Sequence, residues 1–166
     1  MAGLNHRLLV SAGCPLLFVP YAMAREVAGT RRVLLAWSGA RESARALRDA
    51  LPLLRRADHV ELVHFAHAGT VPAAALAPVQ AHLARHGVQA TCVVRERREP
   101  SLAERIMPGW IPDAPVAEAL LSHAADIEAD LIVMGGYGHP RAWELALGGV
   151  TRTLLQSMTV PVLMSH

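Results

Sequence analysis

The sequence predicts an α/β fold: a five-stranded parallel sheet with helices on both faces. From residue 32 onward, short apolar runs alternate with helix-patterned segments in the order β-α-β-α-β-α-β-α-β. The apolar runs are continuous rather than alternating, as strands buried on both faces require. The composition, 52% hydrophobic and 18% charged over 166 residues, is that of one globular domain with a sizeable core.

Each element has its own signal. Arg32 to Trp37 reads as the first strand, bounded by Ser38-Gly39, with Ser38 as the cap of the helix that follows. In that helix Ala44, Leu47, Leu51 and Leu54 recur near helical spacing, and Pro52 marks its end region. Val60 to Phe65 is the second strand. A helix then runs from about Val71 to His86, capped by Thr70 and stopped by Gly87; Pro78 inside it should kink or split it. Val88 to Arg95 is the third strand. Residues 96–113 carry Pro100, Pro108, Pro112 and Trp110 and read as a long loop with room for one helical turn. Asp113 caps a helix bearing Val116, Ala119, Leu120, His123 and Ile127. Asp130 to Met134 is the fourth strand, the last helix starts near Gly149, and Val160 to Met164 is the final strand.

The richest stretch for chemistry is Met134 to Arg152, MGGYGHPRAWELALGGVTR. Gly135, Gly136 and Gly138 follow a strand; Gly148 and Gly149 open a helix. Backbone freed in this way wraps closely around a phosphate, and amides at a helix start favour an anion. Ligands of parallel sheets sit at the carboxyl ends of the strands, the edge where this stretch lies. His139, Arg141 and Arg152 flank it.

Other features exclude functions. All 16 basic residues are arginine, so there is no Walker A lysine, Schiff-base lysine or kinase lysine. A net charge of +2 argues against nucleic acid and acidic membranes as partners. No apolar stretch approaches a membrane span, and Cys14 and Cys92 read as two buried, reduced thiols; a cytoplasmic protein is expected. The nine histidines lack zinc spacing; His59, His64 and His67 are the nearest to a cluster. Gly-x-Ser-x-Gly is absent, and Glu144 is a solitary carboxylate beside the glycines, so no enzyme is expected beyond slow nucleotide hydrolysis.

Residues 8–19, LLVSAGCPLLFV, echo residues 154–165, LLQSMTVPVLMS, at an offset of 146. Residues 1–30 therefore read as the leftover terminal strand of a preceding repeat plus linker, and 31–166 as the domain proper. A lone strand leaves backbone groups unpaired, so this one is expected to add to a sheet edge.

The spacing Gly135-x-x-Gly138, nine residues, Gly148-Gly149-Val150-Thr151 resembles the universal stress protein family. Leu62 to Phe65 and Ala129 to Gly135 match as well, and the resemblance covers residues 31–166. It resembles the second half of a tandem universal stress protein. The resemblance implies a flavodoxin-like (adenine nucleotide alpha hydrolase-like, Rossmann-like) sheet of strand order 3-2-1-4-5. It further implies a stress-response role, a homodimer with the last strand near the contact, and binding of ATP or AMP, with magnesium. The nucleotide-binding residues carried over are Ala36, Ser38, Phe65, Met134, Gly135, Tyr137, Gly138, His139, Gly148, Gly149, Val150 and Thr151. Two positions depart from the family's binders: Ser38 stands where a ribose-binding Asp is usual, and Gly149 where a phosphate-contacting Ser or Thr is usual. Losing one or two such hydrogen bonds costs about 1–3 kcal/mol. A member acting only through dimerisation and protein partners is the alternative.

Overall fold

The computed structural model describes residues 8–9, 11–21, 31–66, 73–98, 101–106, 114–136 and 149–166. Its strands are β1 (Leu16–Phe18), β2 (Arg32–Ala36), β3 (His59–Ala66), β4 (Ala90–Glu96), β5 (Leu131–Gly135) and β6 (Val162–Ser165). The helices are α1 (Arg41–Leu54), α2 (Ala73–Arg85), the single turn α3 (Leu102–Arg105), α4 (Ala114–Asp126) and α5 (Gly149–Ser157).

The expected five-stranded parallel sheet of order 3-2-1-4-5 is corrected to a six-stranded mixed sheet of order β1-β6-β5-β2-β3-β4. The cause is β1, which pairs antiparallel with β6 through Leu16↔Met164, Leu17↔Leu163 and Phe18↔Val162. This first strand thus adds to a sheet edge, and its direction makes the sheet mixed. Strands β2 to β6 run parallel to one another.

Alternation along the strands divides the core in two. Val33, Leu35, Leu62, Val133 and Leu163 face α1 and α2, where Leu47, Ala50, Leu76 and Leu83 close the layer. Leu34, Val63, Ile132, Met134, Val162 and Met164 face α4 and α5, with Leu120 and Leu154, and with Leu16 and Phe18 of β1. Helices on both faces explain why the strands read as continuous apolar runs.

Local chemistry sets the ends of the elements. Asp130 accepts the amides of Arg31 and Arg32, each at 3.0 Å, and its own amide donates to the Arg32 carbonyl at 2.8 Å. One carboxylate thereby fixes where β2 and β5 begin relative to each other. After α2, Val88 N bonds Leu83 O and Gly87 N bonds Ala84 O, with Gly87 at φ +77°. After α4 the same pair of bonds recurs, Ala129 N to Ala124 O and Glu128 N to Ala125 O. Here a glutamate, at φ 51°, occupies the left-handed position that glycine fills more cheaply.

Several boundaries differ from the sequence reading. Pro78 does not split its helix, whereas Pro52 lies in the last turn of α1, the end region expected of it. An interior proline costs about 3 kcal/mol. Burial of Leu76, Val79 and Leu83 on α2 returns about 1.5–3 kcal/mol per side chain and outweighs it. Ser38 is not the N-cap of α1; that residue is Ala40, without a side-chain cap. Both cysteines are free, but Cys14 is exposed and Cys92 only half-buried, its thiol pushed up by burial. Asp113, the expected cap of α4, and Trp110 lie outside the described residues.

One polar cluster interrupts the second core layer. Glu61 on β3 and His123 on α4 are 7% and 6% exposed. His123 Nε2 meets Glu61 Oε1, and Arg95 Nη2 lies 3.0 Å from His123 Nδ1. A guanidinium only donates. Nδ1 is therefore the acceptor, and the Nε2 proton points at the carboxylate. His59 Nε2 stands 4.0 Å from the other carboxylate oxygen.

Candidate functional site

The candidate site lies at the carboxyl ends of β2, β3 and β5. Ala36 ends β2, one residue beyond the Leu35↔Val133 pair that joins it to β5. Trp37 N donates to Val63 O at 2.8 Å, which carries the chain over β3 as it leaves the sheet. His64 Nδ1 lies 2.7 Å from Trp37 O; a carbonyl only accepts, so Nδ1 carries the proton. His64 thus anchors the loop that presents Ser38, a role the histidine spacing did not reveal. Ser38 Oγ accepts from Ala40 N at 3.3 Å, holding the start of α1.

Helix α1 begins hard against β5. A Cβ on Gly135 would lie 2.5 Å from Ser43 N and 2.6 Å from the Glu42 carbonyl carbon. Only glycine lets this strand end and the first turn of α1 approach so closely. Glu42, 6% exposed, sits in that turn; Arg41 Nη2 approaches its carboxylate at 3.0 Å and Arg41 Nε at 3.1 Å. Gly136 is enclosed too. A Cβ there would meet Leu9 Cδ2 at 2.4 Å; its amide donates to Ser165 O at 2.9 Å, and His166 Nδ1 donates to its carbonyl at 3.1 Å. Arg45 in turn bonds the His166 carbonyl, and Ser165 Oγ donates to Asp49 Oδ2 at 2.9 Å. The sequence suggested Gly135 for its closeness to phosphate; it is also required by the packing of α1.

Of the remaining expected residues, Phe65 and Ala36 pack partly buried on the α4/α5 core, Met134 is buried there at 6%, and Val150 borders it. Gly149 opens α5 and Thr151 is 2% exposed. Tyr137, Gly138, His139 and Gly148 lie outside the described residues, as do Arg141 and Glu144. The carboxyl edge therefore gathers Ala36, Ser38, Phe65, Met134 and Gly135. A cavity of about 530 Å³ opens at the other edge, lined by Arg31, Arg32, Asp58, His59 and Ile127. Its arginines are already engaged, Arg31 with Asp58 at 3.9 Å and Arg32 with Glu128 at 3.5 Å. That edge is where parallel sheets seldom bind ligands, so topology, and not cavity size, locates the candidate site.

Among the described residues no three His, Cys, Asp or Glu side chains are placed to hold a metal, and no helix is long and apolar enough to cross a membrane.

The model of the universal stress protein family matches residues 29–166. No curated protein matches the chain. Among solved structures, a universal stress protein from Archaeoglobus fulgidus is 16% identical with a TM-score of 0.66; the match covers 96% of this chain and 55% of that one. This chain therefore spans about half the length of that protein. A universal stress family protein from Burkholderia pseudomallei is 23% identical with a TM-score of 0.53, covering 80% of this chain and 93% of that one. A universal stress protein in complex with cAMP is 19% identical with a TM-score of 0.55, covering 82% and 97%. At these identities the likeness concerns the fold.

Proposed function

The chain belongs to the universal stress protein family, and from that premise we propose that it is a stress-response module that binds an adenine nucleotide at the carboxyl ends of β2 and β5. Adenosine lies between those strand ends, and the phosphates rest on the glycine loop and the first amides of α5. The observation carrying this reading is the convergence on one edge of the Ser38 loop, the β5 end at Gly135 and Gly136, and the start of α5 at Gly149. The relative crystallised with cAMP supports it.

The side chains present favour recognition by backbone amides. Ser38 already accepts the Ala40 amide, Gly149 has no hydroxyl, and Thr151 is buried. The phosphates are then met by the amides of Gly148, Gly149 and Val150 at the positive end of α5. ATP or AMP is the ligand, with magnesium as the counter-ion of a polyphosphate; no acid–base pair is assigned, and hydrolysis is at most slow. The same engaged Ser38 and absent hydroxyl support a second reading, a member that acts only through protein contacts. We place the protein in the cytoplasm and take a second copy of the chain as its partner, without nucleic acid or membrane. Residues 1–30 are taken as the remnant of a repeat.

Isothermal titration with ATP, AMP and cyclic AMP in magnesium tests the nucleotide. Binding with Kd below about 1 mM is expected for at least one of them; heats absent for all three reject the reading. Gly148→Asp should abolish the binding by placing a carboxylate among the phosphates. Gly149→Ser restores the family's hydroxyl and should tighten binding about tenfold. Unchanged affinity in both variants moves the phosphates elsewhere.

A further inference from the structure

The strand register gives the candidate site two walls of unequal height. Strand β2 stops at Ala36, level with Val63 of β3. Strand β3 runs on through His64, Phe65 and Ala66. On the other side Leu35 is level with Val133, and β5 runs on to Gly135. The strand between them is thus the shortest of the three at this edge. The chain leaves it sideways, with Trp37 N on Val63 O at 2.8 Å, so it follows the taller wall.

His64 stands on that wall, in the first position beyond the end of β2. Its Nδ1 donates to Trp37 O at 2.7 Å, which leans the imidazole from β3 across the strand end. A neutral imidazole carries one proton. With that proton on Nδ1, Nε2 holds a bare lone pair and acts only as an acceptor. Among the described residues no donor meets it. The ring is half-buried, and an acceptor withdrawn from water and held in one orientation is a place for a donor. Ala36 and Phe65, its neighbours at this edge, carry no side-chain donor. His123 is the contrast. It lies in the core, away from the notch, and both of its ring nitrogens are engaged.

We propose that His64 Nε2 reads the base of the bound nucleotide, accepting a hydrogen bond from the exocyclic amino group of adenine. The inference rests on the nucleotide reading above and adds the side chain that selects the base. The selection has one sign. A purine with a carbonyl in place of that amino group turns an acceptor toward an acceptor and leaves both unpaired. The ring cannot change roles to suit it, because the Trp37 carbonyl accepts only and holds the proton on Nδ1. One contact thus does two things: it ties the Ser38 loop to β3, and it sets the polarity of the nitrogen that faces the base.

Isothermal titration with ATP and with purine riboside triphosphate, which lacks only the amino group, measures the contact. The wild type should bind ATP about tenfold tighter. His64→Asn separates the two ring nitrogens. Its amide nitrogen stands where Nδ1 stood and keeps the bond to Trp37 O, and nothing replaces Nε2. The variant should bind the two ligands equally, with its affinity for purine riboside triphosphate unchanged. A histidine that only anchored the loop would leave the ratio of the two affinities as it was. The wild type supplies a second measurement that needs no variant to fold. In nitrogen NMR of isotope-labelled histidine, the bare Nε2 of His64 should shift toward lower frequency with ATP and stay in place with purine riboside triphosphate. Equal affinities in the wild type, an ATP preference that survives in His64→Asn, or an Nε2 signal unmoved by bound ATP overturns the proposal and leaves the nucleotide reading standing. If neither ligand binds, both are overturned.

Discussion

His123→Ala is expected to cost about 3–5 kcal/mol of folding stability, among the largest effects of any single substitution outside the apolar core. The reason lies on the far side of the contact. Glu61 is 7% exposed, and the imidazole Nε2–H is its close donor. Its other neighbour, His59, stands 4.0 Å away, beyond hydrogen-bond range. Removing the ring strands a carboxylate between β3 and α4, and leaves the Arg95 guanidinium without the acceptor it now has at 3.0 Å. The double variant Glu61→Leu/His123→Leu should recover most of the loss, because apolar side chains in place of a buried pair are often neutral or better. Urea denaturation of the three proteins measures this. A single variant that loses less than about 1 kcal/mol would mean that the carboxylate finds water when the ring is gone.

Gly135→Ala is the second large effect, and it separates packing from ligand binding. The new methyl would fall 2.5 Å from a backbone nitrogen and 2.6 Å from a carbonyl carbon of α1. Neither atom can swing aside as a flexible side chain would, so the first turn of α1 must move. Overpacking of this kind costs about 1–3 kcal/mol or more. The same movement disturbs the Ser38–Ala40 contact, so nucleotide affinity should fall together with thermal stability. Gly148→Asp should behave differently and lose ligand with little change in melting temperature. Equal melting temperatures for wild type and Gly135→Ala would show that β5 and α1 have slack between them.

The parallel part of the architecture was legible because its signals are local. Continuous apolar runs such as Val33–Leu34–Leu35 and Leu131–Ile132–Val133 are fully buried, as strands covered on both faces must be. Gly87 announced the end of α2 for a reason contained in one residue, its left-handed backbone. The sheet's mixed character was not legible, because strand direction is a tertiary fact: Leu16–Leu17–Phe18 reads the same whichever way it pairs. Proline misled at position 78, where burial of the helix face outweighs a local penalty that was expected to split the helix. The candidate site was legible as a glycine spacing and a strand edge, not as a set of contacts. Glu42 tucked beneath Gly135, His64 holding the Trp37 carbonyl, and Leu9 against Gly136 all depend on segments distant in sequence. His123 looked like an ordinary helix residue for the same reason, since its partners stand 62 and 28 positions away.

The β1–β6 pairing also has a mechanical consequence. Because the two strands are antiparallel, the start of β1 at Leu16 lies beside Met164, close to the end of β6. Tension applied to the chain before Leu16 and after Ser165 therefore loads the rungs one at a time rather than all together. The strand peels like a zip, while the parallel strands behind it carry no load. A weak pull suffices to undo that edge, and the rest of the sheet keeps its shape.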